Sequence, residues 1–592
     1  MIKLLPLQKP YYPWPEVIRE QILEKISQNK HFSPVSKILL INPLQIPSKY
    51  FDESMAKNSR YFCYPPYGLG VVAKIAKSQG FHVEILDLNF KLLSSPEKQV
   101  DVKKCIKNFL KRELDRYQPD LVGITCMFTI THESFKDTVQ EVRALMPKVL
   151  IVAGGVHITN DELRIKKDIP EIDFTLTNES EFAFIDLLNI INQESRGECS
   201  KQSLMETNIG QIDVSPDFCN LPITEYSQFG DIGSYRFWWN NGARAATIQG
   251  NRGCRARCTF CSVENFNGKG VRGRSVSSIL SEIERYKKKY GINHIMWLDD
   301  DLFYNPNRAL ELFKAIIDEK FEITWDASNG VIASAVTQEL LSAAAESGCI
   351  GMHVGIESGS RRVLKEVRKP SGIKHFLDLG KWLQDYPKIF SKGFLMMGFP
   401  NETFGELRET IKLAQEMKLD WYTISVLTAL PSTKIYDQMV ELGLIATDSI
   451  TSESANYGSM QTGTQKNFEK KNLANAGNIL KISDYADNEK IERTRLTELW
   501  FEVDYLINYV PIHKVKNQER RKKLSLFLQD VNRRMTNNTN PVSLYYESLV
   551  LKNMGNHIKA SEVLKKSNEA LYKSDLWQKR CEHLNLIGEI NA

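Results

Sequence analysis

The sequence has no uninterrupted apolar run of about 18 residues, so no membrane-spanning helix is expected. Its first residues, MIKLLPLQKPYYPWPEV, lack a continuous apolar stretch and a small-residue cleavage site, so no secretion signal is expected either. Charge of one sign is also scarce: 77 Lys and Arg against 72 Asp and Glu leave a net charge of +5. The longest basic cluster, Lys514 to Lys523, is short and interrupted, which fits a solvated helix face and argues against nucleic-acid binding. Cysteine is sparse, with 10 in 592 residues. Cys63, Cys105, Cys126, Cys199, Cys219, Cys349 and Cys581 stand singly, which excludes a disulfide framework and suits a reducing cytoplasm.

What is present is ordinary globular material, 42% hydrophobic and 25% charged, in a chain too long for one core. After an extension over 1–33, with one expected helix near 16–27, strands and helices alternate across 34–195. KILLINP, HVEILDL, DLVGITC, KVLIVAGG and DFTLTN read as strands separated by helices, which predicts a flavodoxin-like, doubly wound parallel sheet. Gly154 and Gly155, at the end of the fourth strand, either admit a large ligand close to the backbone or simply make the turn. Residues 196–240 are polar and punctuated by proline, as a linker is.

A second alternating series spans 241–445. Six βα repeats predict a parallel barrel with fewer repeats than the full eightfold form. Residues 446–490 lack periodicity and are expected to be loop-dominated, whereas 491–592 are helical and include one hairpin of tetratricopeptide type. The aromatic stripe LTELWFEVDYLINYV reads as core. These C-terminal segments are expected to shape the substrate entrance.

The chemistry concentrates in GNRGCRARCTFCSVENF, where Cys254, Cys258 and Cys261 form a C-x3-C-x2-C run after the first barrel strand. A structural zinc site needs a fourth ligand, and no Cys or His lies between Cys261 and His294. An iron–sulfur cluster held by three thiolates leaves one iron open, which is useful where a molecule must bind there. That loop belongs at the carboxyl mouth of a barrel, where catalytic groups converge. Arg252, Arg255 and Arg257 surround the thiols with positive charge.

CRARCTFC resembles the signature of the radical SAM superfamily, and later elements follow in family order: WLDDDLF, GIESGS, GFLMMGFPNET and LPSTKIYDQM. The resemblance implies a 4Fe–4S cluster on Cys254, Cys258 and Cys261, its open iron chelated by S-adenosylmethionine, with Phe260 beside the adenine. It implies that the Asp299–Asp301 run, through Asp299 and Asp300, receives the methionyl amino group, although the family commonly has glycines there. Glu357 and Ser358 would approach the ribose or methionyl part. His353, on the same strand, reads as a hydrogen-bonded core histidine.

The first domain, through PPYGLGVVAKIAKSQGFHVEILDLN, PDLVGITCMFT, VLIVAGGVHIT and TNESEFAF, resembles the cobalamin-binding domain of one class of radical SAM enzymes. Thr125, Gly154, Gly155 and Glu179 are its expected cobalamin contacts. The loop NPLQIPSKYFDESMAKNSRYFCYPP holds no histidine, so cobalamin would bind without a histidine ligand. The resemblance implies a 5′-deoxyadenosyl radical and cobalamin-dependent methylation of an unactivated carbon. The substrate would be a small molecule, natural product or lipid, with flavodoxin or ferredoxin as electron donor. Cyclisation or oxidation, as in anaerobic porphyrin ring closure, is the alternative within the class; a non-catalytic metal-containing adaptor is the alternative outside it. Methylthiotransfer is disfavoured because Cys63, Cys105 and Cys126 are too scattered to form its N-terminal cysteine trio.

Overall fold

The computed structural model describes residues 34–45, 65–94, 101–195, 244–445, 480–536 and 538–591, with 22, 24 and 51. Apart from Ile22 and Glu24, both helical, the expected N-terminal helix lies outside the described residues. So do all of the expected linker and most of the expected loop region.

The first domain is a parallel sheet of β1 (Lys37–Asn42), β2 (His82–Asp87), β3 (Leu121–Thr125), β4 (Leu150–Gly154) and β5 (Phe174–Leu176). Their order is β2-β1-β3-β4-β5, the flavodoxin-like arrangement expected from the alternation of strands and helices. The strands are apolar on both faces because helices cover both. Ile38 and Leu40 of β1 enter one core, whereas Leu39 and Ile41 enter another. The order reverses between β1 and β3, which opens a crevice at their carboxyl ends.

The second domain starts with β6 (Ala245–Ile248) and then departs from the expected course. Instead of passing straight into the cysteine loop, the chain forms an antiparallel hairpin of β7 (Asn251–Cys254) and β8 (Gly270–Gly273). The parallel series continues with β9 (His294–Trp297), β10 (Thr324–Val331), β11 (Cys349–Glu357), β12 (Phe390–Met397) and β13 (Trp421–Val426). The six-stranded sheet runs β13-β12-β11-β10-β9-β6, the partial barrel expected from six repeats. Local chemistry sets the intervening helices. Asn305 and Thr337 cap the helices Pro306–Asp318 and Gln338–Glu346, and Gly291 ends Val276–Tyr290 at φ 64°. One hydrophobic core is continuous between the domains, from Ile38 and Leu40 to Trp297 and Trp325.

An open barrel leaves β13 with an unpaired edge. Helices from the C-terminal region cover it. Trp500 donates its indole N–H to the Ile424 carbonyl at 2.9 Å, and the Asn508 side chain pairs with both the N–H and the C=O of Tyr422 at 2.7 and 2.9 Å. Phe501 and Tyr509 of the aromatic stripe are buried with Phe390 and Trp421 at the amino ends of β12 and β13. The hairpin of helices Pro541–Asn553 and His557–Tyr572 is present as expected. Its Val542, Tyr546 and Val550 join this core at the amino ends of the strands, away from the mouth where the entrance was expected. Among the described residues, the chain beyond the barrel also reaches the turn after β12 at the mouth: Arg493 donates to the Gly398 and Leu427 carbonyls at 3.0 and 3.1 Å, the Ile491 N–H to the Glu402 carbonyl at 2.9 Å, and Lys490 to the Asn401 side chain at 2.9 Å.

The basic cluster is not simply a solvated face, contrary to expectation. Arg520 and Lys523 turn inward and enclose Asp420 at 3.0 and 2.6 Å, with side chains 17% and 10% exposed. Asp420 is held in turn by Ser391, whose N–H donates to it at 2.9 Å. Cutting one member from such a buried set strands the others without a counter-charge. Asp420→Ala is therefore expected to lower stability by about 3–5 kcal/mol, read as a shift in denaturant midpoint. Glu284→Gln, which breaks an exposed pair with Lys288, is expected to change it by less than about 1 kcal/mol.

Candidate active site

The cysteine loop is held by backbone bonds to two distant segments. The Thr259 N–H donates to the Val367 carbonyl at 3.1 Å, and the Thr259 carbonyl accepts from the Ile435 N–H at 3.0 Å. At its start, Gly253 (φ 92°) faces the Gly270 carbonyl so closely that a Cβ would collide with it. All three cysteines are free thiols. Burial raises the pKa of Cys254 to about 12 and of Cys258 to about 11, and nearby negative groups add to the effect. A buried cation partly opposes this at Cys258: Lys369 lies close enough to lower its pKa, while donating to Glu357 at 2.7 Å.

Each carboxylate of the Asp299–Asp301 run has its own partner. Asp299 accepts from the Gly250 N–H at 2.8 Å, Asp300 from the Asn267 amide at 3.0 Å, and Asp301 pairs with Arg255 at 2.9 Å. Burial raises Asp299 to about 7 and Asp300 to about 6. Asp299 Oδ1 is buried without a hydrogen-bond partner. Glu357 ends β11 at φ 70°, a strained conformation for a side-chain-bearing residue, and the Lys369 ion pair helps to hold it. Ser358 is fully buried and bonds to Thr410 at 3.2 Å. Phe260 packs edge-to-face on Phe399 at 6.5 Å. His353 is the core histidine expected, bonded to the Ser328 carbonyl at 2.7 Å. The sequence reading missed Lys369 and Glu402. Glu402 is buried and organises the turn after β12 by accepting from the Gly398 and Phe399 N–H groups at 2.6 and 3.2 Å. GFPNET carried the signal for Glu402; nothing local marked Lys369.

In the first domain, Thr125, Gly154 and Gly155 come together at the ends of β3 and β4. Gly155 has φ 112°, and a Cβ there would lie 2.5 Å from the Cys126 carbonyl and 2.9 Å from Thr125 Oγ1. The turn therefore needs glycine. His157 follows it, fully buried, with Nε2 3.0 Å from His132 Nδ1, while His132 Nε2 lies 2.9 Å from Asp168. His157 Nδ1 has no partner, and burial lowers its pKa to about 3. Beside these strand ends Met127 and Phe128 are 53% and 48% exposed. Glu179 stands apart from this group, engaged by arginines of the other domain.

The two sets of residues face one another. Ser432 donates to the Asn160 carbonyl at 2.6 Å, and Arg164 donates to the Tyr436 hydroxyl at 3.3 Å. Asn160 and Arg164 belong to the helix that starts at Gly155. Ser432 also accepts at its carbonyl from Asn265, four residues after Cys261, at 2.8 Å.

These are the parts of two known domains. Residues 248–414 match the model of the radical SAM superfamily, and residues 54–188 match that of the B12 binding domain. The chain thus contains a radical SAM domain and a B12-binding domain, which together imply a 4Fe–4S cluster, S-adenosylmethionine and cobalamin as cofactors. It is 27% identical over 430 residues to an uncharacterized methyltransferase of Pyrococcus horikoshii, covering 70% of this chain and 85% of the relative. It is 25% identical over 432 residues to the cytidylyl-2-hydroxyethylphosphonate methyltransferase of Streptomyces wedmorensis, covering 64% and 77%. In fold it is similar to the radical S-adenosylmethionine methyltransferase TsrM of Kitasatospora setae, with TM-score 0.58, 16% identity and coverage of 90% and 100%. It is also similar to the cobalamin-dependent enzyme OxsB, with TM-score 0.54, 17% identity and coverage of 94% and 80%.

The residues present fit these groups. Cys254, Cys258 and Cys261 lie close enough together for their charges to oppose one another. A four-iron cube takes each thiolate on a different iron, so thiols spread along one loop suit it. The partnerless Asp299 oxygen suits a cationic amino group, and the glycine turn with its exposed apolar flank suits a large ring system. Gly253→Ala is expected to distort the hairpin before Cys254. It should reduce iron per chain after anaerobic reconstitution to below half that of wild type, measured colorimetrically; Gly268→Ala, in open space though also at positive φ, should retain more iron.

Proposed function

We propose that the chain methylates an unactivated carbon of a small molecule, natural product or lipid. The observation that carries this reading is the apposition of the two sites: the helix from Gly155 contacts the segment that also anchors the helix after Cys261. When bound, the cluster with S-adenosylmethionine supplies hydrogen-atom abstraction and cobalamin supplies a methyl group, chemistry that side chains lack. Cys254, Cys258 and Cys261 would hold the cluster. Asp299 would take the methionyl amino group, with Asp300 beside it, while Glu357 and Ser358 border the ribose and Phe260 the adenine. Thr125, Gly154 and Gly155 would line the cobalamin site. Lys369 offsets the negative charge gathered around Cys258.

The similarity of the chain to anaerobic magnesium-protoporphyrin IX monomethyl ester cyclases, 22% over 337 residues, supports cyclisation or oxidation as the second reading. An electron donor such as flavodoxin or ferredoxin would reduce the cluster in a reducing cytoplasm. Anaerobically purified protein is expected to contain iron, sulfide and cobalt, and a Cys254→Ala/Cys258→Ala/Cys261→Ala variant to lose the iron and sulfide. Wild type with zinc and no iron would contradict the radical reading. Iron without cobalamin uptake would contradict methylation alone. Product mass separates the two reactions: methylation adds one CH2, whereas the rival removes hydrogen or adds oxygen.

A further inference from the structure

The seam between the domains is charged where it reaches the cysteine hairpin. The loop after β5 and the start of the helix Glu181–Ser195 bring Glu179 and Glu181 to Arg252 on β7 and Arg272 on β8. Arg252 and Arg272 are register partners on facing strands. Arg272 holds Glu179 with both terminal nitrogens, one bond at 2.7 Å. Arg252 lies 2.6 Å from Glu181 and 3.6 Å from Glu179. Both glutamate side chains are 9% exposed, against 17% for Arg252 and 24% for Arg272. Two carboxylates meet two guanidiniums, so the buried set is neutral and every member depends on the others.

The placement of these pairs matters more than their number. Arg252 stands two residues before Cys254 on the same strand. Arg272 also donates to the Asn267 carbonyl at 2.7 Å, the end of the short helix that follows Cys261. One domain thus grips both ends of the loop that carries the three thiols of the other. The grip uses a bidentate fork, which constrains direction as well as distance. It acts on a hairpin whose strands pair in register from Asn251–Gly273 to Cys254–Gly270, with the Gly270 carbonyl where a side chain at Gly253 would sit.

We propose that Glu179 and Glu181 are positioning residues of the iron–sulfur site: through Arg252 and Arg272, the B12-binding domain sets the hairpin that presents Cys254. This rests on the reading of Cys254, Cys258 and Cys261 as cluster ligands. Partners that orient metal ligands from behind commonly matter about 10- to 100-fold in metal affinity. A domain contact that merely adds stability would lower the melting temperature and leave the metal unaffected.

The test uses the full chain, reconstituted anaerobically with iron and sulfide, and follows iron release to a chromogenic ferrous chelator. Glu179→Gln and Glu181→Gln are expected to release iron about tenfold faster than wild type while retaining its circular dichroism. Glu84→Gln, at an exposed pair in the same domain, should match wild type. Release at the wild-type rate in both glutamine variants overturns the proposal, whatever their melting temperatures. If the glutamine variants do not fold, Arg272→Lys decides, since it keeps the charge and loses the fork: faster release supports the clasp and unchanged release overturns it. Wild type that takes up no iron removes the cluster reading and the clasp with it. Wild type that loads while its variants release iron at the same rate removes the clasp alone.

Discussion

Two strands of four residues each, β7 and β8, carry the constraint on which the site depends. A loop of free thiols has no intrinsic shape, and buried thiols favour their neutral form. Here the loop starts from a hairpin paired from Asn251–Gly273 to Cys254–Gly270 and is stitched through Thr259 to segments beyond β11 and β13. The thiols are therefore brought to the barrel mouth by backbone hydrogen bonds rather than by their own attraction. A metal that binds them must displace their protons, and the protein meets that cost with a preformed loop and a buried lysine.

The rest of the molecule makes an open barrel tolerable. A closed barrel has no edges, whereas this one leaves β13 exposed along its backbone. The C-terminal helices cover that edge with Trp500 and Asn508, and they close the amino ends of β12 and β13 with aromatic side chains. The opposite end stays accessible, and there the first domain brings its strand ends against the cysteine loop. Site and scaffold thus divide by strand polarity: amino ends are packed and carboxyl ends are functional.

Much of this was legible in the residues. Short continuous apolar runs alternating with helical stretches marked both parallel sheets, since β1 can be apolar on both faces when helices cover both. The spacing of Cys254, Cys258 and Cys261 marked the site, and the later elements marked the strand ends that surround it. Lys369 was not legible, because a single lysine after a short helix has no local pattern. Glu179 was expected among the cobalamin contacts, yet its partners are arginines 73 and 93 residues further along the chain, and burial against another domain leaves no periodic signal. The inward turn of Arg520 and Lys523 escaped for the same reason: a basic helix looks alike whether it faces water or a buried aspartate.

The sequence by itself determined the order of elements, the two domain types and the thiols available for chemistry, because these follow from local spacing and short-range propensity. The tertiary structure decided which charges meet across domains, which edge is covered and how the cysteine loop is held. Those outcomes depend on burial and on directions between residues far apart in the chain. Local periodicity cannot encode them, since a carboxylate acquires its role from whatever cation packing brings to it.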